Sequence, residues 1–516
     1  MPGVLDDGLV SGYARSFNAL DDECYTNSIP NADAEAFLLK NVPRFTCPDK
    51  DIERTYYFRW WTFRKHLKHV KDFWVITEFL PKVPWSGAYN TIVCPAGHHL
   101  MEGRWLRDPT FVTDDARFWL ADKCAGHRWL YSSWLFTGTC RLAEITGQDD
   151  LPVSLLDDAV RCFERWEEGF DRGGGNRMGG DGCGGFLSVD GHEGTEMSLG
   201  GHGYKPLFMS AQWSEAKSIA AVARRAGREG LADRFEEKAE AVRKSLFDRC
   251  WNPDVRFFTT CTAAGKKGSV RELHGYAPWY FGVPVDGREP DWNQLVDRQG
   301  FAGVCGLSFP ERRAKGFVID FRGHACKWNG PSWPFATSVA LTAFANDLHA
   351  CHAKGRFAHE SLFPALLHQY AAQHVRLRDP LVDGDARIVP WIDENLHPDR
   401  QQWIARDMLS ADAKAGKKGT RERGKDYNHS TFCDLVISGL VGFVSQGRKG
   451  FAVDPLCPLE WSSFVMENLR YRDHDVTIRW QKGHGLVVSV DHREVARRQT
   501  LGWLDVPLDA GVGSGR

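Results

Sequence analysis

The sequence predicts a mainly α-helical fold: a closed barrel of helical hairpins, followed by a small C-terminal part rich in β-strands. Apolar residues recur at helical spacing in consecutive pairs of segments, which loops of uneven length join. Alternating apolar and polar residues, the pattern of strands, occur almost entirely after residue 446. We therefore expect an irregular segment over residues 1–30, a helical barrel domain over 31–446 and a β-rich cap over 447–516.

The helices are predicted from apolar periodicity and from residues that cap helix ends. Asp33 is a candidate N-cap for the first helix, Thr113 opens a later one, and Gly147 is a C-cap. We expect an aromatic helix over residues 51–70 to be buried on one side and to line a cleft on the other. Further helices are predicted over residues 113–131, 134–146, 150–170, 211–226, 231–250, 332–352, 358–374 and 430–444.

Two further stretches have patterns of their own. Residues 475–480, 485–490 and 494–496 alternate in the manner of short strands, and we interpret them as a cap that stabilises the barrel. Residues 173–185 form a glycine-rich loop between predicted helices. Long loops inside compact domains usually carry function, so this loop is a candidate part of the site.

Composition and charge exclude several classes of partner. The net charge of −2 over 516 residues gives no electrostatic signature for nucleic acid. The first residues lack a signal-peptide pattern and no apolar run is long enough to span a membrane, so we expect a cytoplasmic protein without a membrane partner. None of the 14 cysteines forms a Cys-x-x-Cys pair; we expect reduced thiols, no metal and no cofactor.

Phosphate, dinucleotide, zinc and serine-hydrolase chemistry have no supporting motif. Residues 264–269 lack the P-loop pattern, and residues 200–203 lack the dinucleotide-binding glycines. The segment His192-Glu193-Gly194-Thr195-Glu196 begins like a zinc-protease helix, but Glu replaces the second His and Gly breaks the helix. No Gly-x-Ser-x-Gly elbow occurs. The sequence therefore favours chemistry carried by carboxyl groups.

Two acidic stretches lie far apart in the chain, in settings that suit a pair of acid–base catalysts. Asp190, Glu193 and Glu196 lie in a glycine-rich loop, and the helix after it carries a Trp in its first turns. A carboxyl group buried near a Trp has a raised pKa and can donate a proton. Glu394 precedes Asn395, which can hydrogen-bond a carboxylate or a water. Two such carboxyl groups facing each other across an aromatic cleft are what glycosidic bond hydrolysis needs.

Aromatic and polar residues elsewhere are candidates for sugar contacts. The 20 tryptophans among 516 residues are the informative excess, because aromatic faces stack on the apolar faces of sugar rings. The candidates lie in the aromatic helix, in the Trp-rich segment around residue 330 and near two later polar segments. They are Arg59, Trp60, Trp61, Lys327, Trp328, Asn329, Trp333, Asn395 and His429.

Three of these segments resemble the motifs of a known group. The segment Trp328-Asn329-Gly330-Pro331-Ser332-Trp333-Pro334 resembles the Trp-x-Gly-Pro-x-Trp signature of six-hairpin glycosidases, which include glycoside hydrolase family 63, mannosylglycerate hydrolase and trehalase. Glu394-Asn395-Leu396-His397-Pro398 resembles their general-base segment, with Leu in place of the usual Tyr. Gly194-Thr195-Glu196-Met197-Ser198 resembles their general-acid segment, and together the motifs place the resemblance at roughly residues 30–445.

The resemblance implies an (α/α)6 barrel and an inverting, exo-acting glycoside hydrolase with a carbohydrate substrate. Glu196 would be the general acid, ahead of Asp190 and then Glu193 as rivals, and Glu394 would be the general base. One alternative is a non-catalytic carbohydrate-binding protein. The other is a sugar epimerase or polysaccharide lyase on the same barrel, with a base drawn from His202, His274 and His324.

Overall fold

Helices form the larger part of the regular secondary structure in this computed structural model, which describes residues 5–171, 176–356, 361–378, 384, 386–414 and 423–508. The short helix Phe432–Asp434 continues into a π-helical turn, Leu435–Leu440. Within the described residues the α-helices are α1 (Asp7–Asn18), α2 (Ala34–Asn41), α3 (Lys50–Lys65), α4 (Ala96–Gly103), α5 (Thr110–Leu120), α6 (Leu135–Thr146), α7 (Asp150–Ser154), α8 (Leu156–Glu168), α9 (Pro206–Arg225), α10 (Glu229–Cys250), α11 (Ala277–Phe281), α12 (Pro334–His352), α13 (Leu362–Ala372), α14 (Ile404–Lys414) and α15 (Phe432–Asp434).

Six of these helices form a closed inner ring. The helices α4, α6, α9, α11 and α12 pack one against the next, α12 packs on the π-helical turn, and α15 returns to α4. The helices α5, α8, α10 and α13 pack on members of this ring. Inner and outer helices differ in burial. The inner helices α9 and α12 are buried around most of their circumference, whereas the outer helices α8 and α10 are buried along one face.

Buried glutamates take the place of N-cap residues at two inner helices. Glu102 on α4 accepts hydrogen bonds from the backbone N–H groups of Cys433 and Asp434, at 2.9 and 2.7 Å, where α15 begins. Glu215 on α9 accepts from the backbone N–H of Thr137 in the first turn of α6, at 2.7 Å. Burial raises the pKa of each glutamate to about 7. These bonds link neighbouring inner helices and satisfy donors that the helix ends leave open.

The strands of the described residues are β1 (Arg44–Thr46), β2 (Leu67–Val70), β3 (Phe73–Ile76), β4 (Phe170–Asp171), β5 (Arg177–Gly180), β6 (Phe186–Ser188), β7 (Gly203–Tyr204), β8 (Trp251–Asn252), β9 (Phe257–Phe258), β10 (Val375–Leu377), β11 (Ile388–Pro390), β12 (Phe443–Ser445), β13 (Gly450–Val453), β14 (Ser463–Tyr471), β15 (His474–Gln481), β16 (Gly485–Val490), β17 (Arg493–Arg498) and β18 (Leu504–Pro507). They form one five-stranded sheet (β1-β14-β15-β16-β17), a three-stranded sheet (β12-β13-β18), a four-stranded sheet (β4-β5-β6-β7) and three two-stranded pairs.

The C-terminal strands confirm the predicted β-rich part, although the sequence prediction omits β13, β14 and β18. The strand β1, from the N-terminal region, pairs with β14 and extends the C-terminal sheet, so that sheet is not built from the tail alone. The strand β14 is absent from the sequence prediction because a register shift between Met466 and Leu469, with Asn468 at φ 57°, breaks its alternation. Short strands also occur before residue 446, where the sequence pattern predicts almost none.

The prediction of an irregular segment over residues 1–30 is wrong in part, because α1 occupies Asp7–Asn18. Asp6 caps this helix by accepting a hydrogen bond from the backbone N–H of Gly8. Val10, Ala14 and Phe17 lie on one face of α1 and are buried, and α1 packs against α2 and α3. Their spacing of four and three residues is helical and marks the segment as amphipathic.

Several other predicted helices end early or divide. The aromatic helix ends at Lys65, and the hairpin β2–β3 follows it. The helix predicted over 113–131 ends at Leu120, and that over 150–170 divides into α7 and α8 at Leu155, which has ψ 7°. The helix predicted over 430–444 is the short α15 with its π-helical turn. Ala358, the predicted start of one helix, and residues 173–175 of the glycine-rich loop lie outside the described residues. No described helix combines the length and apolar character that a membrane crossing requires.

Candidate active site

A cavity of about 290 Å³ lies where the amino-terminal ends of the inner helices meet. Its walls come from the segments that lead into α4, α6, α9, α12 and α15, together with the acidic stretch around residue 394. The lining residues are Glu78, Phe79, Trp85, Ile92, Cys94, Tyr131, Gly194, Glu196, His324, Cys326, Trp328, Trp333, Phe335, Glu394, Arg423, Tyr427 and His429. Of the four acids that the sequence predicts as catalysts or rivals, Glu196 and Glu394 line this cavity.

The segment that carries Glu394 is paired with the Trp-rich segment. Ser332 and Leu396 exchange both backbone hydrogen bonds, at 2.8 and 2.9 Å, in an antiparallel bridge. The Asn395 side chain donates to the Ala325 carbonyl at 2.9 Å and accepts from the backbone N–H of Ala405 at 3.1 Å. These bonds fix the backbone that follows Glu394, so its carboxyl group is held at the cavity by segments distant in sequence.

Burial raises the pKa of Glu394 to about 7. The guanidinium of Arg423, with Nε 3.4 Å from Glu394 Oε1, opposes this shift, and the charges of Asp393 and Glu196 add to it. A carboxyl group with this pKa is divided between its two protonation states near neutral pH, which suits a group that must take up a proton.

Asp393 supports the loop and does not line the cavity. Its carboxylate pairs with the buried Arg406, 2.7 Å from Nε, and accepts a hydrogen bond from the backbone N–H of Glu394 at 2.9 Å. Gly424 packs so closely that a Cβ there would lie 2.3 Å from Asp393 Oδ1, and its φ of 81° also favours glycine. Arg406 also donates to the Arg423 carbonyl at 2.6 Å, so the Asp393–Arg406 pair links the backbone of Glu394 to that of Arg423.

Within the upstream acidic loop, Glu196 is the acid that reaches the cavity. Its Oε2 accepts a hydrogen bond from the Cys326 thiol at 3.0 Å, and its backbone carbonyl accepts from the Trp328 N–H at 3.0 Å. Burial raises the pKa of Cys326 well above its usual value, so the thiol keeps its proton and donates. Cys326 and Trp328 thus bond Glu196 directly, whereas Ser332 bonds Leu396, two residues after Glu394.

The two rival acids lie away from the cavity, on the buried ammonium of Lys205. Lys205 Nζ is 2.7 Å from Asp190 Oδ1 and 3.6 Å from Glu193 Oε2. Burial acts to raise the pKa of Asp190, but Lys205 and hydrogen bonds from Ser198 and Thr195 outweigh it and hold that pKa below its usual value. An acid with a lowered pKa is a poor proton donor. Asp190 anchors the loop that presents Glu196, which corrects its place among the predicted catalytic residues.

Two stacked indoles form one wall of the cavity. The rings of Trp328 and Trp333 lie 4.1 Å apart at an interplanar angle of 7°, and Trp333 Nε1 donates to the Lys327 carbonyl at 2.8 Å. His429 lies beside Trp333, with ring centroids 6.3 Å apart. Trp85 has 41% of its surface exposed and lies against Arg423 at the cavity. Flat apolar faces beside carboxyl groups are the arrangement that sugar sites use.

Residues 88–178 and 176–430 match the family model described as the mannosylglycerate hydrolase MGH1-like glycoside hydrolase domain. The chain belongs to this glycoside hydrolase family. The match confirms the predicted resemblance and the prediction of a glycosidase domain, with the motif segments inside the matched residues.

Solved structures support the family fold. A structure named "Sialidase" shares 31% identity with this chain at a TM-score of 0.83, covering 97% of this chain and 44% of its own. The GH78 family rhamnosidase of Bacillus sp. GL1 (12% identity, TM-score 0.53) covers 87% of this chain and 41% of its own. The α-L-rhamnosidase from Dictyoglumus thermophilum (9%, 0.51) covers 89% and 45%. The chain spans less than half the length of each. The predicted (α/α)6 barrel with a C-terminal strand region is confirmed.

Of the nine predicted sugar contacts, three line this cavity: Trp328, Trp333 and His429. The aromatic helix α3 contributes none, which corrects the prediction that one side of it lines a cleft. Trp60 packs against Tyr56 and Phe63 in the core. Trp61 stacks on Phe58 and donates to Asn18 at 2.8 Å. The apolar pattern of a helix does not distinguish a face that packs in the core from a face that lines a cleft. The sequence of α3 therefore does not specify which role its aromatic residues have.

The other four predicted contacts do not line the cavity and instead bond the segments that form its wall. Arg59 is buried and donates to the Tyr427 carbonyl and to Ser430 Oγ, both at 3.4 Å, beneath the segment that carries His429. Lys327 is held by Asp320 and the Arg322 carbonyl. Asn329 is buried, and its backbone carbonyl accepts from Val318 at 3.0 Å. Asn395 has the backbone partners described above.

The lining also contains residues that the sequence analysis did not propose for the site, chiefly Glu78, Tyr131, Cys326, Arg423 and Tyr427. Glu78 follows the apolar strand β3 after a single Thr, within an aromatic and proline-rich loop. An acid placed directly after a buried strand is a usable signal, but it has no partner within its own stretch of sequence. The others fall next to segments that the sequence analysis named.

Metal-ligand spacing among the described residues occurs in one group, Asp49, Asp51 and His368, which lies outside this cavity. Asp49 already caps α3 through Oδ1 and accepts from His368 Nδ1 at 2.7 Å through Oδ2. Arg54 pairs with Asp51 at 2.8 Å. These partners explain the cluster as the start of α3.

Proposed function

We propose that this chain is an inverting, exo-acting glycoside hydrolase in which Glu196 is the general acid and Glu394 the general base. The observation that supports this proposal is that both carboxyl groups line one cavity beside the stacked Trp328 and Trp333. Glu196 would protonate the glycosidic oxygen, while Glu394 would deprotonate a water attacking the anomeric carbon from the opposite face. The bond to the leaving group breaks as the bond to water forms, through an oxocarbenium-like transition state.

The contacts of Glu196 suit a proton donor. Cys326 occupies Oε2 as a hydrogen-bond donor, so the acidic proton has Oε1 as its place. The Glu196 backbone carbonyl is tied to the Trp328 N–H, which fixes the carboxyl group relative to the aromatic wall. A donor held within hydrogen-bond reach of the leaving oxygen needs no large movement during the reaction.

The size of the cavity favours action at a chain end. Its volume of about 290 Å³ is at the lower end of the range of roughly 300–1,000 Å³ for small-molecule sites. Segments from most of the inner ring close around it, and the exposed Trp85 lies at its edge. A terminal sugar fits such a site, with the rest of the substrate directed outward past Trp85.

Product stereochemistry tests the proposal. The similar proteins name different sugars, so a panel of nitrophenyl glycosides and disaccharides should include mannosides, rhamnosides and sialosides. With a hydrolysed glycoside, proton NMR in the first minutes should show a sugar of inverted anomeric configuration before mutarotation. A first product of retained configuration would contradict the inverting mechanism.

The epimerase or lyase alternative has weaker support. Two of its candidate bases lie off the cavity: His202 accepts from the backbone N–H of Asp190 at 2.9 Å, and His274 packs against Phe309 and Trp328. His324 lines the cavity, although its Nδ1 bonds the Cys326 carbonyl at 2.7 Å. The same NMR experiment separates the reactions, because only hydrolysis gives a new reducing end of inverted configuration.

The activity should depend on pH through the ionisation of Glu394. Burial raises the pKa of this group to about 7, and a general base works only in its deprotonated form. We therefore expect kcat/KM to be low below pH 6 and to rise with pH through about 7, where the free enzyme loses this proton. A pH profile of kcat/KM in constant ionic strength checks this, with Arg423→Ala as the companion variant. Removing that cation should move the acid limb to higher pH, and an unmoved limb would assign it to another group.

A further inference from the structure

A third carboxyl group, Glu78, lines the cavity with Glu196 and Glu394 and has no part in the proposed mechanism. It is 5% exposed, and its Oε1 accepts a hydrogen bond from the Tyr427 hydroxyl. The Glu78 backbone is also hydrogen-bonded, because its carbonyl accepts from the Asn428 N–H at 3.2 Å. Glu78 is therefore a positioned group of the cavity wall, and the described residues give its Oε2 no hydrogen bond.

The charges around the cavity determine the state of this group. The ionisable neighbours that face Glu78 come from every segment of the wall: Cys94, Tyr131, Glu196, His324, Cys326, Glu394, Arg423, Tyr427 and His429. Arg423 is the one guanidinium or ammonium group among these described residues, and it lies 3.4 Å from Glu394. His324 Nδ1 bonds the Cys326 carbonyl, and burial lowers the pKa of His429 well below its usual value. Three buried carboxylates beside one guanidinium would repel one another strongly, so the cavity has to retain protons.

Glu78 is well placed to retain one. Burial raises its pKa to about 8, Glu394 and Glu196 add to that shift, and the Tyr427 hydrogen bond opposes it. Burial also raises the pKa of Tyr427 well above its usual value, so the phenol keeps its proton and donates. With Oε1 occupied by that donor, the proton of Glu78 has Oε2 as its place.

We propose that Glu78 is a neutral carboxylic acid that donates a hydrogen bond from Oε2 to a hydroxyl group of the bound terminal sugar, making the site selective for an uncharged sugar. This inference rests on the proposed function and assigns the substrate class of the same cavity. A sugar carboxylate would meet three acidic side chains and one cation that already faces Glu394. Buried polar groups that lose their partner discriminate strongly against the wrong ligand.

The test compares Glu78→Gln with Glu78→Ala, because an amide keeps the shape and the neutral donor of a protonated carboxyl group. On a glycoside that the native enzyme hydrolyses, Glu78→Ala should lower kcat/KM by roughly tenfold or more, mainly through KM, as expected for a lost hydrogen bond. Glu78→Gln should recover most of that loss. The native enzyme should also lose kcat/KM above pH 8, and Glu78→Gln should lack this alkaline limb.

A spectroscopic measurement makes the inference independent of turnover. Infrared difference spectra of native protein against Glu78→Gln at pH 6.5 should contain the C=O stretch of one protonated carboxyl group, which disappears as the pH rises through about 8. A missing band overturns the proposal. So does an inactive Glu78→Gln, which would make Glu78 a proton-transferring residue, or equal hydrolysis of a glycoside and its uronic acid counterpart. If Glu394→Gln keeps full activity while the band is present, the proposed mechanism has failed and the ionisation of Glu78 stands.

Discussion

Glu394→Gln is expected to lower kcat by about 10³-fold, within the range of roughly 10²–10⁴ that general acid–base catalysis contributes. The amide has nearly the size of the carboxylate and keeps the same loop contacts, but it cannot take a proton from water. The backbone that holds residue 394 depends on Ser332, Asn395 and Asp393, none of which the substitution alters. Substrate should therefore bind with a Kd near the native KM. Steady-state kinetics and calorimetric titration with the uncleaved substrate measure both quantities.

Asp393→Asn is the matched control, because Asp393 is the neighbouring acid and is buried without lining the cavity. It should destabilise the protein through its pair with Arg406, since removing one partner of a buried ion pair costs about 3–5 kcal/mol. Its folded fraction should keep far more turnover than Glu394→Gln. Azide added to Glu394→Ala gives a further readout, because a small anion in the vacated space should form a glycosyl azide of inverted configuration. Near-native kcat in Glu394→Gln would remove Glu394 from the mechanism.

The parts of the site that local sequence predicts are those whose chemistry lies within one short segment. Glu394, Trp328 and Trp333 each sit in a motif of five to seven residues, and the structure brings all three to the cavity. Glu78 and Tyr427 are 349 positions apart, and their hydrogen bond forms only when the loop after β3 meets the segment before α15. No local pattern specifies such a pair, because each residue alone is an ordinary loop residue.

The fold shows the same division between local and distant causes. Helical periodicity specifies α9, α10 and α12 because each contains several turns of consistent burial. The strand β1 has three residues and exists because β14 lies beside it. The sequence predicts Trp60 and Trp61 as sugar contacts because α3 is aromatic on more than one face. Its packing against α1, α13 and α15 places those faces in the core.

Glu196→Gln is expected to affect substrates according to their leaving groups. A sugar or alkyl leaving group needs protonation, so its hydrolysis should fall by about 10³-fold or more, near the upper range for general acid catalysis. A dinitrophenyl glycoside leaves as a stable anion without a proton, so its hydrolysis should fall far less. A series of aryl glycosides with graded leaving-group pKa values, compared between native enzyme and variant, measures this dependence as the slope of log kcat/KM.

The rival acids of the same loop give the controls for Glu196. Asp190→Asn and Glu193→Gln alter groups on Lys205 rather than on the cavity, so their main effect should be on stability, with no dependence on the leaving group. Cys326→Ala removes the thiol donor to Glu196 Oε2 and should lower turnover without abolishing it. If the loss in Glu196→Gln were the same for every leaving group, the proton would come from elsewhere. The graded dependence would then be sought in Glu78→Gln, because Glu78 is the remaining carboxyl group on the cavity wall.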